Sequence, residues 1–346
     1  MYNVSYVFYG LSNLVDISGL SNWNVSSVTS MSNMFNSCRS LTDISPLSNW
    51  QVGEVTNMTS MFYLCRLISS ISALADWDVS HVTLMSGMFC FCSGIPSLTP
   101  LSNWRVDNVT TMHMMFENCG VLTSLNGLEN WKVGNVQRMG YMFNGCTNIS
   151  SLTPLEKWDV SNVTTMTRMF LHCFKLTSLT PLSNWKVDNV QDMSWMFYNC
   201  GELTSLTPLS NWKVDNVQDM SSMFDGCYKI SSLSALKTWN VSKVTDMSDM
   251  FDSCVELTSL NGLENWKVGN VENMSSMFYN NRALTSVSAL SSWNVSKVTN
   301  MNSMFAKCSA ITTFTPLNSW NVSNVTSYTN MFESTTGTRP SWGVNW

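Results

Sequence analysis

Residues 158–173 read Trp158-Asp-Val-Ser-Asn-Val-Thr-Thr-Met-Thr-Arg-Met-Phe170-Leu-His-Cys173. The same apolar residues return at the same spacing along the whole chain. Trp stands at 23, 50, 77, 104, 131, 158, 185, 212, 239, 266, 293 and 320, each 27 residues from the last. With each Trp counted as zero, every unit has Leu at −3, Val at +2 and +5, Met at +11 and Phe at +12. Position +8 is Met from Met31 to Met301 and then Tyr328. Position +15 is Cys from Cys38 to Cys254 and again at Cys308, with Asn281 and Thr335 in the remaining two units. Twelve copies run without insertion from Leu14 to Gly337. A period this strict reads as a solenoid in which each side chain stacks on its own copy, because one coil cannot bury its apolar face alone. Parallel pairing of neighbouring coils predicts a rod of roughly 55–60 Å.

Within the unit, Val-x-x-Met-x-x-Met-Phe-x-x-Cys has helical spacing and predicts a short helix. Thr or Ser before it (Thr29, Thr164, Thr245) can cap the first turn. Trp-x-Val alternates with polar neighbours and predicts a brief strand. The preceding segment (Leu-Thr-Ser-Leu-Thr-Pro-Leu in several copies) has a period of three and reads as corners and turns. Pro at −4, as in Pro100 and Pro181, supports a turn there. The expected fold is α/β: a leucine-rich-repeat-like solenoid of twelve 27-residue coils, each a short strand plus a short helix. Residues 1–13 read as an N-terminal half-repeat, 14–337 as the solenoid and 338–346 as a C-terminal half-repeat or cap.

The phrase Asn-Trp-Asp/Asn-Val-Ser-x-Val-Thr-x-Met-x-x-Met-Phe-x-x-Cys resembles the repeat of BspA-type leucine-rich-repeat surface proteins. The variant common in mycoplasma surface lipoproteins and seen in some large DNA viruses and protists is the most similar. Trp158–Phe170 and Trp320-Asn-Val-Ser-Asn-Val-Thr326 carry the likeness clearly. It implies a leucine-rich-repeat-like solenoid, exposure at an extracellular, cell or virion surface, and adhesion or protein binding. It brings no catalytic residues.

The repeat accounts for the unusual composition. Of 25 Met, 15 Trp and 11 Cys, only Met1, Met114, Trp195, Trp342, Trp346 and Cys90 stand off the ladders. Eighteen Lys and Arg against 23 Asp and Glu give a net charge of −5, without the dense basic footprint that nucleic acid requires. No apolar run is long enough to cross a membrane, and the first residues lack the pattern of a signal peptide. No Cys-x-x-Cys or Cys/His spacing favours a metal, so no cofactor is expected. The Cys ladder reads first as buried thiols packing as small hydrophobes, with disulfides between coils as the alternative. Asn281 and Thr335 in the same slot suggest that size decides it. Cys90, off the ladder, reads as an exposed thiol. His81, His113 and His172 fall in different phases of different coils and cannot converge, so no enzyme is expected.

Variable positions remain for partners. On a short helix, +10, +13 and +14 share the face opposite Met and Phe. Tyr63, Leu64, Phe91, Met114, Tyr141, Leu171, Trp195 and Tyr198 would then form an outward apolar stripe, the composition of a contact surface. At the ends, Val4, Val7, Phe8 and Leu11 fall at +8, +11, +12 and +15 of a half-repeat. Residues 341–346, with Trp342 and Trp346, resemble the other half. Neither end reads as strongly capped, and complementary ends of this kind can join head to tail into filaments. The expectation is a non-catalytic surface protein that contacts other proteins or itself. Glycan binding by an aromatic face is the alternative.

Overall fold

A computed structural model describes residues 2–342. The chain divides into two compact units, Met1–Lys175 and Leu176–Trp346, at the boundary between the sixth and seventh coils. Each unit is a solenoid. Parallel bridges join Ser30, Asn57, Leu84, Thr111, Arg138 and Thr165 in the first. In the second they join Asp192, Asp219, Asp246, Asn273, Asn300 and Ser327. All twelve residues occupy position +7.

The expected solenoid of 27-residue coils is present, but its expected parts are built differently. Among the described residues there is no α-helix. The Met-x-x-Met-Phe-x-x-Cys stretch is a succession of tight turns, and the backbone bonds show why. In the coil of Trp50, the N–H groups of Met58, Ser60, Phe62 and Leu64 donate to Leu84, Ser86, Met88 and Cys90 of the next coil at 2.8–3.0 Å. The alternate N–H groups of Met61, Tyr63 and Cys65 close turns onto Met58, Ser60 and Phe62 at 3.0–3.2 Å. An α-helix would use every interior N–H on its own fourth-preceding carbonyl and leave none for the neighbouring coil. It would also need about 8–10 Å between axes. The Phe rings of successive coils stack only 5.6–5.9 Å apart from Phe35 to Phe143. Turns fit that spacing and helices do not.

The strand moves as well. Trp-x-Val is not paired; Val55 N–H closes a turn onto Val52 at 2.9 Å. Coil-to-coil bonding starts at +6, as in Thr56 N–H to the Thr29 carbonyl at 2.9 Å. Val28–Ser30 of the first coil is paired in parallel with Tyr2–Asn3. The three-residue period of the Leu segment is that of the 3-10 helix, and short 3-10 helices occupy it, as at Thr99–Leu101 and Thr207–Leu209. Their first residue is held by the side-chain oxygen two places earlier, a hydroxyl as in Thr99 N–H to Ser97 Oγ at 3.2 Å or a carboxylate as in Ser45 N–H to Asp43 Oδ1 at 2.7 Å. In two coils Asn-Gly replaces this helix. Gly127 has φ +108°, and a Cβ there would stand 2.3 Å from the Leu98 carbonyl oxygen, so only glycine fits.

Inside each unit the Leu, Val, Met and Phe ladders are buried, except that Val322 and Val325 of the last coil are half-buried. The Trp ladder is 2–4% exposed except at Trp23. Its indoles stack 6.3–6.5 Å apart and nearly parallel, as for Trp50 on Trp77 and Trp266 on Trp293. Ten ladder indoles from Trp50 to Trp320 donate Nε1–H to the carbonyl of Leu −3 in the preceding coil at 2.8–3.1 Å, as in Trp104 to Leu74. That bond satisfies a buried carbonyl whose loss would cost about 1–3 kcal/mol.

Candidate contact face

Positions +10 and +14 have φ between +52° and +71° in all twelve coils. Twenty-one of these 24 residues are not glycine, a backbone that ordinarily costs about 1–2 kcal/mol for an L-residue. The alternation of local and coil-to-coil bonds imposes it. The slots therefore hold varied side chains, most of them half-buried, on the outside of each unit.

In the first unit Tyr63, Leu64, Phe91, Met114 and Tyr141 are half-buried on this face. Tyr63 meets Phe91 edge-on at 5.9 Å. Tyr141 meets the His113 ring at 5.2 Å and lies under the Arg168 guanidinium at 5.1 Å. Leu171, expected in the stripe, is instead buried at 7% exposure, although Tyr63 and Tyr198 at the same +13 position are half-buried. Trp195 and Tyr198 are half-buried in the second unit with centroids 4.9 Å apart. Leu67, Val121 and Phe174 are exposed and were not foreseen. They sit at +16 and +17, where the helical reading ended, and their signal was an apolar residue just after the Cys slot.

The cysteines are structural. All eleven are free and buried, so the disulfide alternative fails among the described residues. Ladder thiols donate to the Phe carbonyl 30 residues earlier, as in Cys65 Sγ to Phe35 at 3.1 Å and Cys308 Sγ to Phe278 at 2.9 Å. Asn281 keeps this bond with its amide, Nδ2 to Phe251 at 2.8 Å. The slot therefore selects a donor, not size alone. Burial raises the thiol pKa, to about 12 for Cys146 and Cys308, so these groups stay neutral. Cys90 is not the exposed thiol expected: it is fully buried and its Sγ donates to the Glu117 carboxylate at 3.4 Å. The second Glu117 oxygen accepts from Asn144 Nδ2 at 2.8 Å, and burial raises the Glu117 carboxyl pKa. His81, His113 and His172 remain on separate coils.

A family model described as "Mycoplasma protein of unknown function, DUF285" matches residues 1–96, 64–170, 121–234, 172–260 and 230–345. The chain belongs to the DUF285 family. The BspA-type resemblance carried by the repeat phrase is borne out. No curated protein matches the chain. Similar solved structures include a leucine rich cell surface protein from Faecalibacterium prausnitzii A2-165, at 17% identity and TM-score 0.35, covering 83% of this chain and 77% of that one. A leucine-rich repeat protein from Eubacterium ventriosum ATCC 27560 is 14% identical at TM-score 0.36, covering 92% and 83%. A third, from Bacteroides ovatus ATCC 8483, is 15% identical at TM-score 0.31, covering 83% and 82%. At such scores the likeness adds nothing to the solenoid read from the ladders themselves.

The ends of this DUF285 chain differ from each other. Val4 and Phe8 are half-buried, and Phe8 stacks 5.2 Å from Phe35. Val7, Leu11, Val15 and Trp23 are 41–62% exposed. At the other end Trp342 continues the Trp ladder, 5.8 Å from Trp320, with Nε1–H donated to Leu317 at 2.7 Å. Arg339 lies over the Phe332 ring at 5.7 Å. These contacts lie over Trp320 and Phe332, while Val322 and Val325 of the same coil stay half-buried. Trp346 lies outside the described residues. Among the described residues no helix is long and apolar enough to cross a membrane.

Proposed function

We propose that the chain is a non-catalytic, surface-exposed repeat protein that binds other proteins through the left-handed face of its coils, with adhesion as its role. One observation carries this reading. The first unit gathers Tyr63, Phe91, Met114, Tyr141 and Arg168 on that face, beside exposed Leu67 and Phe174. Aromatic and arginine side chains of this kind supply most of the energy in protein contacts. The surface location is the one the repeat phrase implies. The test measures binding to a panel of purified secreted and cell-surface proteins. Tyr63→Ala with Tyr141→Ala should abolish the hits, whereas Lys213→Ala, at an exposed side chain at position +1, should leave them. Hits that survive the double substitution would place the contact elsewhere.

Head-to-tail assembly is a second reading, favoured by exposed Val7 and Leu11 on the N-terminal half-repeat and Trp23 on the first coil. In it the last coil of one chain, with Trp342 outermost, seats on that surface of the next. Fibres or concentration-dependent light scattering that Val7→Asp with Leu11→Asp removes are the expected result. An aromatic sugar-binding face would have to use the same Tyr and Phe residues, since the ladder indoles are buried, and a glycan array decides between the two ligands.

A further inference from the structure

One coil in each unit carries the stretch Leu-Asn-Gly-Leu-Glu-Asn-Trp, at 125–131 and 260–266. Its asparagine stands at −5, where the other ten coils have Ser or Thr. Gly127 N–H and Gly262 N–H each donate to the carboxylate two residues on, Glu129 Oε2 and Glu264 Oε2, at 2.7 Å. Both glycines are buried, at φ +108° and +107°. A Cβ at Gly262 would stand 2.5 Å from the Leu233 carbonyl oxygen, the counterpart of Gly127 against Leu98, so the preceding coil fixes each peptide nitrogen in place. Asn126 and Asn261 are exposed. Ser124 and Ser259 Oγ hold their backbone N–H groups at 3.1 Å, and among the described residues no bond ties their side-chain amides. A third Asn-Gly pair is built differently. Asn144 is half-buried and donates Nδ2 to Glu117 at 2.8 Å, and Gly145 N–H donates to the neutral Leu171 carbonyl at 2.8 Å.

We propose that Asn126 and Asn261 are self-modifying sites, at which the following glycine nitrogen attacks the side-chain amide with Glu129 or Glu264 as general base. A general base must lie within about 2.6–3.2 Å of the atom whose proton it takes, and both carboxylates do. The nucleophile and the carbon it attacks belong to adjacent residues, so the reaction needs no encounter step. The Gly127 nitrogen bonds to Asn126 Cγ while its proton passes to Glu129. The Cγ–Nδ2 bond breaks, and Nδ2 takes that proton and leaves as ammonia. A five-membered imide remains, and water opens it at either carbonyl. The net change is water in and ammonia out, leaving aspartate or isoaspartate at position 126. Both products add a negative charge. Isoaspartate also lengthens the main chain by one carbon, directly before a glycine that already packs at the limit against Leu98. Conversion therefore loosens the contact between two coils, once in each unit. Asn144 lacks the base and has its amide engaged, so the same dipeptide is inert there.

The experiment incubates the folded full chain at neutral pH in heavy-oxygen water and follows its peptides by mass spectrometry. Asn126 and Asn261 should convert, each gaining a heavy oxygen, at least about tenfold faster than Asn144. Glu129→Gln keeps an acceptor for the Gly127 N–H but is a far weaker base. It should slow Asn126 at least about tenfold and leave Asn261 unchanged. Glu264→Gln should do the reverse. The unaltered site in each variant, with unchanged circular dichroism, reports that the fold is intact. Three results each overturn the proposal: no conversion at Asn126 and Asn261, Asn144 converting as fast as they do, or rates indifferent to which glutamate is replaced.

Discussion

Asn281 Nδ2 lies 2.8 Å from the carbonyl oxygen of Phe251, taking the bond that nine described ladder cysteines make with a thiol. The amide brings a second polar atom that the thiol lacks. Asn281 Oδ1 is buried with no hydrogen-bond partner.

Replacing Asn281 by Cys should therefore stabilise the second unit. The carbonyl keeps a donor and the orphan oxygen disappears, for a gain of about 1–3 kcal/mol. Thermal unfolding should show a midpoint raised by several degrees. An unchanged or lower midpoint would mean that the orphan oxygen carries no cost.

The left-handed slots should discriminate by side-chain shape. Ser303 has φ +55°, donates its N–H to Thr329 at 2.9 Å and accepts from Ala306 N–H at 3.0 Å. Ser303→Gly should be neutral or stabilising. Ser303→Val places a β-branched residue there and should cost about 1–2 kcal/mol or more. Equal denaturation midpoints for the two variants would contradict the strain argument.

The indole N–H should matter apart from the ring. Trp131→Phe keeps an aromatic ring in the stack with Trp104 and Trp158 but leaves the Leu101 carbonyl without its 3.0 Å donor. A loss of about 2–4 kcal/mol is expected from the orphaned carbonyl and the smaller ring together. Amide exchange should accelerate mainly in the coils of Trp104, Trp131 and Trp158, since solenoid coils couple to their neighbours.

The second unit should weaken as pH rises. Burial and neighbouring aspartates raise Asp225 from 3.8 to about 8; burial foremost, with Asp249 adding, raises Asp252 to about 6, while Lys307 opposes. The folded chain then holds protons that the unfolded chain releases. This contribution is complete below about pH 4 and is lost as pH climbs through 6 and 8. Unfolding midpoints should fall from pH 5 to pH 9. Asp225→Asn should flatten the slope and raise the midpoint at pH 9. The opposite sign would mean that the carboxylates are already paired.

The period and the core were legible in the sequence, because ladder residues such as Phe143 and Met142 repeat without exception and their burial follows from that repetition. The conformation of +8 to +15 was not. Apolar residues three and four apart fit a helix and fit consecutive three-residue turns equally well. The distinguishing signal was weaker: the 24 residues at +10 and +14 include no Val, Ile, Thr or Pro, although Val and Thr abound elsewhere in the unit. Cys90 could not be placed from one residue, because its burial depends on Glu117 in the next coil.

Coil-to-coil bonding from +8 to +14 always runs from the N–H of one coil to the carbonyl of the next. Every junction within a unit is therefore chemically the same junction. A gene encoding such a chain can gain or lose 27 codons at a time by misaligned recombination and still specify satisfied backbone and continuous ladders. What changes is which variable residues lie beside one another, so copy number itself becomes heritable variation in the binding surface, produced without point mutation.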